Sequence, residues 1–269
     1  MMADKNKKSS SPPIRDSAYQ TRYAPTVDTD TYYPESDGKP MAETELHRDG
    51  ITTSIQTLSL HYIDDMDVCV SGNLMMYYEE GNPRKSISPN VFVAFGVGKK
   101  QRRIYQIWNE GKPPDFVLEF SSEKTYRKDL RKKKELYAEI GIVEYFLYDA
   151  ERRLLPEPIM GFRLVDGKYV PVPQGADGSV YSETLALELR LHGNELGFYD
   201  LTNEKWLVTP AEANLKRAEE AENKVVVAEN RAEEETAARL HAEAELAQLR
   251  EEIERLKTQT TSSHTNSQE

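Results

Sequence analysis

The sequence predicts a mixed α/β domain with a small β extension and a long C-terminal coiled-coil helix. Apolar residues at helical spacing alternate with short apolar runs bounded by Pro, Gly and Asn, as in α/β domains. Two later segments surround strong hairpin turns, and the final segment repeats apolar residues three and four positions apart. We expect residues 1–33 to form a disordered arm, 34–207 the domain, 210–257 the coiled-coil helix and 258–269 a disordered tail.

Length and composition narrow the classes that fit. The 269 residues are 38% hydrophobic and 30% charged, enough for one sizeable domain plus an appendage outside its core. Cys69 is the single cysteine, which excludes a disulfide framework and a cysteine-based zinc cluster, and we expect it to be a small buried residue. The polar N-terminus is unlike a signal peptide, and no stretch is apolar enough to span a bilayer, so we expect no membrane contact and a cytoplasmic location.

The domain itself is predicted to alternate helices and strands. Apolar residues at helical spacing predict a first helix over Glu43–Ile63, although Gly50 weakens it. Short apolar runs predict strands over Val68–Val70, Leu74–Tyr78, Val91–Phe95, Phe116–Phe120 and Tyr145–Tyr148, with a bend at Ser71-Gly72-Asn73. A second helix is predicted over Lys128–Ile140, and Gly141 is its stop signal.

Two hairpins indicate a β extension after Pro156 and Pro158. The runs Phe162–Val165 and Tyr169–Val172 flank Asp166-Gly167, a strong two-residue turn. The runs Leu189–Leu191 and Leu196–Tyr199 flank a second turn at 192–195. We expect both hairpins to pack on the first unit.

Pro210 opens the last helix, which carries a heptad seam. Its positions are Ala218, Ala221, Val225, Ala228, Ala232, Glu235, Arg239, Ala242, Leu246, Leu249, Ile253 and Leu256. The first half is Ala-rich and the second half Leu/Ile-rich. Because a single exposed seam would leave apolar side chains in water, we expect a homo-oligomer through this coiled coil, although another protein could be the partner.

One carboxylate stands out inside an apolar strand. Burying Glu119 is costly unless it is paired or bound to a metal; alternatively it lies on the wet face of an edge strand. Lys133 precedes Tyr137 by four, so the two share one helix face, although the lysine run would also suit a solvated face. Asp115 is about 13 Å from Glu119 along the strand, too far to share an ion, and we expect it to cap the strand start.

A strand carboxylate, a second carboxylate on a neighbouring strand and a lysine form a minimal phosphodiester-cutting site. The carboxylates hold Mg²⁺ (or Mn²⁺), which lowers the pKa of a bound water and neutralises the phosphate. The lysine positions that water or stabilises developing charge.

Net charge is −11, yet basic residues cluster at 99–103 and 127–134. The clusters would suit contacts to a DNA backbone, or simply solubility.

Four segments, in this order, resemble a known family. They are Pro89-Asn90-Val91-Phe92-Val93, the run from Pro114 to Ser122, Arg127-Lys128-Asp129-Leu130 with Lys133 and Tyr137, and the run from Gly141 to Asp149. This arrangement resembles the Uma-type restriction endonucleases of the PD-(D/E)XK nuclease superfamily, over about residues 33–207. The long Ala/Glu-rich tail is also similar to that of many members.

The resemblance implies a four-stranded mixed sheet flanked by helices, and DNA as the substrate. It implies metal ligands at residue 90, at Glu119 and at the backbone carbonyl of Phe120, with Glu43 as a further candidate. The superfamily lysine usually lies two residues after the glutamate, at Ser121 here, and in this family it is displaced to Lys133. Glu43 could instead complement the helix dipole. His47 is expected to be a packed or surface residue.

Residue 90 departs from the family pattern, which has aspartate where this chain has Asn90. Asparagine offers a neutral oxygen, so the site should bind Mg²⁺ more weakly. Two hypotheses follow: a metal-dependent DNA endonuclease, active or impaired, or a catalytically inactive nuclease fold that oligomerises or binds a partner through its coiled coil. Asn90 favours the second, and Glu119, Asp129 and Lys133 favour the first.

Overall fold

A computed structural model of the chain describes the backbone of residues 31–38 and 44–265, with side chains as far as residue 255. Most of the predicted N-terminal arm and the end of the predicted tail lie outside these ranges. The chain divides into two compact units, Met1–Pro210 and Ala211–Glu269.

The first unit contains short helices and thirteen strands among the residues described. The helices are α1 (Glu45–His61), α2 (Ile107–Glu110), α3 (Tyr126–Lys128), a π-helical segment (Asp129–Lys133) and α4 (Lys134–Glu139). Strands of the main sheet are β1 (Val68–Ser71), β4 (Val91–Phe95), β6 (Phe116–Phe120), β7 (Glu144–Tyr148), β8 (Ile159–Val165) and β9 (Lys168–Pro171). The remaining strands are β2 (Met76–Tyr77), β3 (Ser86–Ile87), β5 (Tyr105–Gln106), β10 (Val180–Ser182), β11 (Leu187–His192), β12 (Glu195–Asp200) and β13 (Lys205–Trp206).

The main sheet is mixed and has six strands in the order β1-β4-β6-β7-β8-β9. Only β6 and β7 run parallel; the other neighbours are antiparallel. Every residue of β6 and β7 is buried, which explains why both strands are apolar in the sequence apart from one glutamate each, Glu119 and Glu144. Because β6 lies between β4 and β7, Glu119 is not on a wet edge strand, and that alternative is wrong.

The mixed α/β fold is confirmed, with a wider main sheet than the four strands implied by the resemblance. The Asp166-Gly167 hairpin forms as predicted, with φ of 49° and 75° at the turn, but its strands β8 and β9 extend the main sheet. The β extension is the separate sheet β10-β11-β12-β13, and a third small sheet has the order β3-β2-β5. Strands of two residues are too short to produce an alternating pattern, so β3 and β5 had no signal in the sequence.

Two apolar cores cover the faces of the main sheet. One joins α1, through Ile51 and Leu58, to the extension, through Leu189 and Phe198. The other packs Tyr137 of α4 over the opposite face. Gly50 allows the close approach of α1 to β6, because a Cβ atom there would lie 2.6 Å from the Phe120 ring.

The second unit is a single helix, α5 (Pro210–Thr265). It continues past the predicted end at residue 257, because the polar segment that follows contains neither Gly nor Pro. Among the described residues, no helix combines the length and hydrophobicity needed to cross a membrane.

Candidate active site

The candidate site lies where β4 begins and β6 ends. The antiparallel register pairs Val91 with Leu118, which brings Asn90 beside Glu119 one step further along. The Asn90 backbone N–H donates to Oε2 of Glu119 at 3.3 Å, and Phe120 N–H donates to Oδ1 of Asn90 at 2.9 Å. Asn90 therefore joins the ends of the two strands.

The predicted bend at 71–73 supports Asn90 from the other side. A Cβ atom at Gly72 would lie 2.0 Å from the Asn90 carbonyl oxygen, so only glycine permits this approach. Asn73 has a left-handed φ of 51°; its N–H donates to the Pro89 carbonyl at 2.8 Å, and its side chain accepts from Nδ2 of Asn90 at 3.3 Å. Both the oxygen and the nitrogen of the Asn90 side-chain amide therefore have hydrogen-bond partners in neighbouring segments of the chain.

Glu119 is fully buried and is held from the helix above it. Its Oε1 accepts from the Tyr137 hydroxyl at 2.6 Å and lies 2.9 Å from Nζ of Lys133. The predicted common face of Lys133 and Tyr137 is thus turned toward Glu119. For Lys133, the alternative of a solvated position is wrong.

A π-helical segment brings a second carboxylate to the same lysine. Oδ1 of Asp129, also fully buried, lies 3.0 Å from Nζ of Lys133, within ion-pair range but outside hydrogen-bond geometry. Oδ2 accepts from the Ser121 hydroxyl at 3.3 Å, and the Asp129 carbonyl accepts from the Tyr145 hydroxyl at 3.0 Å. Turns of π-helix are frequent at functional sites, and this one places two carboxylates against one ammonium.

Burial and charge shift the pKa values in this cluster. Burial raises the pKa of Glu119, and the nearby Lys133 ammonium only partly opposes this. Burial by itself lowers the pKa of Lys133, but Glu119 and Asp129 outweigh it, and the pKa is raised. Burial also holds the Tyr137 pKa well above its usual range, so its hydroxyl remains a donor.

His47 is packed, as expected, but its contacts reach the site. Its Nε2 lies 2.9 Å from the Ser121 carbonyl, which can only accept, so Nε2 carries the proton. Nδ1 lies 2.7 Å from the hydroxyl of Thr44, the N-cap of α1. His47 thereby fixes the start of α1 to the chain segment that follows Glu119. No sequence pattern predicts this contact, because His47 and Ser121 lie far apart along the chain.

The oxygen donors present do not make a complete Mg²⁺ site. Of the residue pair at 90 and 119, only Glu119 is a carboxylate, and its Oε1 is already taken by an ammonium and a hydroxyl. Asn90 contributes a neutral oxygen that already accepts a hydrogen bond. No group of three or more His, Cys, Asp or Glu suited to a metal occurs among the described residues. The pocket is arranged around the Lys133 ammonium, so a divalent ion would need additional negative charge.

The other predicted residues are placed as follows. Phe120 ends β6, and its role through the carbonyl stays a prediction. Glu43 lies outside the described residues. Asp115 accepts from Phe95 N–H at 2.8 Å and pairs with Lys112 at 2.6 Å, in keeping with an end-capping role. Cys69 is buried and free.

The two basic clusters differ in availability. In the first, Arg102 and Lys100 pair with Glu110 at 2.8 and 3.1 Å, and Lys99 donates to two backbone carbonyls. In the second cluster, Arg127, Lys128, Arg131 and Lys132 are exposed, and so is the neighbouring Lys124. These five residues form the exposed basic cluster, which precedes Lys133 in the chain. None of these five forms an ion pair with another described residue. The cluster is therefore free to meet an anionic partner.

A mixed sheet with a buried glutamate near the end of a central strand, paired with a lysine from the following helical segment, is the arrangement expected of the restriction-endonuclease-like class. Residues 24–195 match the family described as "Uma2: Putative restriction endonuclease", and the chain belongs to this family. A solved structure with similarity is "a putative nuclease belonging to DUF820 from Anabaena variabilis ATCC 29413". It has 14% identity and a TM-score of 0.42, over 55% of this chain and 77% of that one. No curated protein matches.

Proposed function

We propose that the first unit is a DNA endonuclease whose Mg²⁺-dependent activity is impaired by Asn90. The single observation that carries this proposal is the buried contact of Glu119 with Lys133, 2.9 Å apart, directly beside Asn90. The strand register places Asn90, the position where the resemblance implies a metal ligand, next to this contact. In a phosphodiester-cutting site, a residue in that place would complete the ligand set.

Asn90 explains the impairment in electrostatic terms. The pocket contains the carboxylates of Glu119 and Asp129 and the ammonium of Lys133. An aspartate at 90 would add a further negative charge to this cluster, and Mg²⁺ depends on such charge to be held against its hydration. Without it, the negative charge of Glu119 and Asp129 is already partly neutralised by Lys133, and any cation must compete with this ammonium.

The exposed basic cluster supports DNA as the substrate. Its five cations follow the segment from Lys124 to Lys132, immediately before Lys133. Phosphate contacts of this kind give affinity without reading base sequence, and they allow an acidic protein to bind DNA locally.

The test compares DNA nicking by the natural chain with nicking by Asn90→Asp, in Mg²⁺ and in Mn²⁺. Asn194→Asp, on an exposed hairpin turn, makes the same chemical change away from the site and is the matched control. We expect little or no cleavage by the natural chain and by the control, and metal-dependent cleavage by Asn90→Asp that Glu119→Ala abolishes.

Two outcomes would contradict the proposal. Vigorous cleavage by the natural chain, abolished by Glu119→Ala, would reject impairment. A folded Asn90→Asp protein that neither cleaves DNA nor gives heat of Mg²⁺ binding in calorimetry would favour the inactive interaction protein instead.

Self-association through α5 is a separate part of the proposal. The apolar seam positions Val225, Leu246, Leu249 and Ile253 are 51–56% exposed in the single chain, which is unfavourable for four large side chains along one helix. Sedimentation of the full chain and of a chain truncated at Pro210 tests this: we expect assembly only with the helix present.

A further inference from the structure

The seam of α5 has an arrangement that depends on direction. Small residues occupy its first half, at Ala221, Ala228 and Ala232, and large residues occupy its second half, at Leu246, Leu249 and Ile253. Between the halves lie two charged positions, Glu235 and Arg239. A partner of the same sequence meets this seam in a parallel or an antiparallel orientation, and the two differ in every layer.

We propose that α5 pairs with α5 of a second copy of this chain in an antiparallel coiled coil centred on Ala237. This inference rests on the self-association proposed above and adds its orientation and register. Three arguments carry it: the charges inside the seam, the side-chain volumes of its layers, and the match of both at a single register.

The charged positions distinguish the two orientations. In a parallel pair each seam residue faces its own copy, so Glu235 would face Glu235 and Arg239 would face Arg239. In an antiparallel pair centred on Ala237, Glu235 faces Arg239 of the second copy, and the reciprocal contact forms by symmetry. Two opposite-charge contacts thus replace two like-charge contacts in the middle of the seam.

The layer volumes lead to the same register. With Ala237 as the centre, the three outer layers pair a smaller with a larger residue, namely Ala221 with Ile253, Val225 with Leu249 and Ala228 with Leu246, and the inner layer pairs Ala232 with Ala242. Each of the three outer layers contains one large side chain and one smaller one. A parallel pair would stack Ala on Ala in one half and Leu on Leu in the other, although packed helices keep a nearly constant separation. The antiparallel layers suit one separation along the whole seam.

The charges that flank the seam fit either orientation and do not decide it. In the antiparallel pair, Lys224 lies near Glu252 of the second copy, and Arg231 near Glu245. In a parallel pair, Lys224 would lie near Glu229, and Glu245 near Arg250. The orientation is therefore set by the seam itself.

The proposal has a geometric consequence for the two copies. Residue 210 lies 27 positions before Ala237, so the two Pro210 residues of an antiparallel pair would be about 80 Å apart along the helix axis, at 1.5 Å per residue. In a parallel pair they would be about 10 Å apart. The antiparallel arrangement would thus hold the starts of the two helices at opposite ends of the coiled coil.

Engineered disulfides test the orientation in the full-length chain, with Cys69→Ala as the background. Ala232→Cys alone and Ala242→Cys alone place each thiol opposite alanine in the proposed pair, so neither should crosslink on oxidation. The double variant places each thiol opposite a thiol of the second copy, within reach of a disulfide, and should crosslink. Within one helix, residues 232 and 242 are about 15 Å apart and cannot form the bond. The single variant Ala244→Cys, which places a thiol on the outer face of the helix, is the control for random oxidation.

The readout is the dimer band on a non-reducing gel, together with sedimentation of the reduced proteins. A dimer that crosslinks only in the double variant supports the proposal. A dimer in which either single variant crosslinks at position 232 or 242 is parallel and overturns it, and a dimer that never crosslinks has another register and also overturns it. A monomer in sedimentation rejects self-association itself and leaves the nuclease proposal untouched.

Discussion

Two buried glutamates on neighbouring parallel strands differ in the hydrogen-bond and ion-pair partners that surround them. Glu119 near the end of β6 and Glu144 at the start of β7 are both fully buried. Each lies in an apolar run, and each faces a cation, Lys133 in one case and Arg163 in the other. The difference lies in the remaining partners, and it separates a structural carboxylate from a candidate functional one.

Glu144 is satisfied by several donors at once, and the exposed Glu183 is the other carboxylate that pairs with its cation, Arg163. Nε and Nη2 of Arg163 reach its Oε1 at 3.2 and 3.1 Å, and the backbone N–H groups of Glu183 and Thr184 donate at 3.1 and 3.3 Å. The Ser182 hydroxyl donates to its other oxygen. This carboxylate anchors the loop after β10 to the sheet, and nearby hydrogen-bond donors compensate its charge.

Glu119 instead shares its cation with Asp129. One ammonium pairs with two buried carboxylates, and among the described residues the Asn90 N–H, at 3.3 Å, is the one donor to Oε2 of Glu119. A buried, incompletely neutralised carboxylate with a raised pKa is typical of functional sites. The comparison teaches that burial and an ion pair do not identify a site, whereas the sharing of one cation by two fully buried carboxylates does favour one, since the second carboxylate on Arg163, Glu183, is exposed.

The largest expected effect comes from removing each cation. Lys133→Met leaves Glu119 and Asp129 buried without a positive charge, and we expect a loss of about 3–5 kcal/mol in the free energy of unfolding. Arg163→Met leaves Glu144 with a hydroxyl and two N–H groups, and we expect a smaller loss of about 1–3 kcal/mol. Urea unfolding of both variants measures the difference.

A rescue keeps this prediction specific to charge. Adding Glu119→Gln to Lys133→Met should recover part of the loss, because one of the uncompensated charges is removed. Equal losses for the two methionine variants, with no recovery, would mean that Glu119 is as fully satisfied as Glu144.

The sequence predicted the central fold better than it predicted this distinction. Runs such as Val91–Phe95 and Phe116–Phe120 match β4 and β6 because buried central strands are predominantly apolar. The facing of Lys133 and Tyr137 followed from helical spacing alone. Glu119 and Glu144, however, give the same signal, a carboxylate in an apolar run, and only the resemblance singled out Glu119. The partners that separate them, such as Arg163 and Asp129, are set by the sheet order and by a π-helical segment that has no recognised sequence pattern.

An intermediate effect is expected from the hydroxyl donors. Tyr137 donates to the Glu119 carboxylate, whereas Tyr145 donates to the neutral Asp129 carbonyl. Because hydrogen bonds to charged groups contribute more, Tyr137→Phe should cost about 1.5–3 kcal/mol and Tyr145→Phe about 1 kcal/mol in unfolding free energy. Both are fully buried tyrosines on the same core, so the second is a matched control. A larger loss for Tyr145→Phe would contradict the assignment of a charged Glu119.

The last expected effect is a dependence of stability on pH. Burial raises the folded-state pKa of Glu119, so the folded protein holds this proton more tightly than the unfolded chain does. Stability contributed by Glu119 is therefore greatest in acid and falls as the pH rises from about 4.3 through the folded-state pKa, by at most about 1.4 kcal/mol per pH unit. Lys133 does not change its protonation state in this pH range, because its pKa is raised above the already alkaline value that is usual for lysine.

Glu119→Gln replaces the carboxyl group that binds this proton with an amide that does not titrate. Its unfolding free energy, relative to the natural chain, should rise with pH across this window and then level off once Glu119 is ionised in both states. The measurement is urea unfolding of both proteins at a series of pH values. A difference that stays constant, or that falls with pH, would mean that Lys133 neutralises Glu119 completely, as Arg163 and its neighbours neutralise Glu144. The site would then have no uncompensated negative charge that could bind a cation together with an aspartate at residue 90.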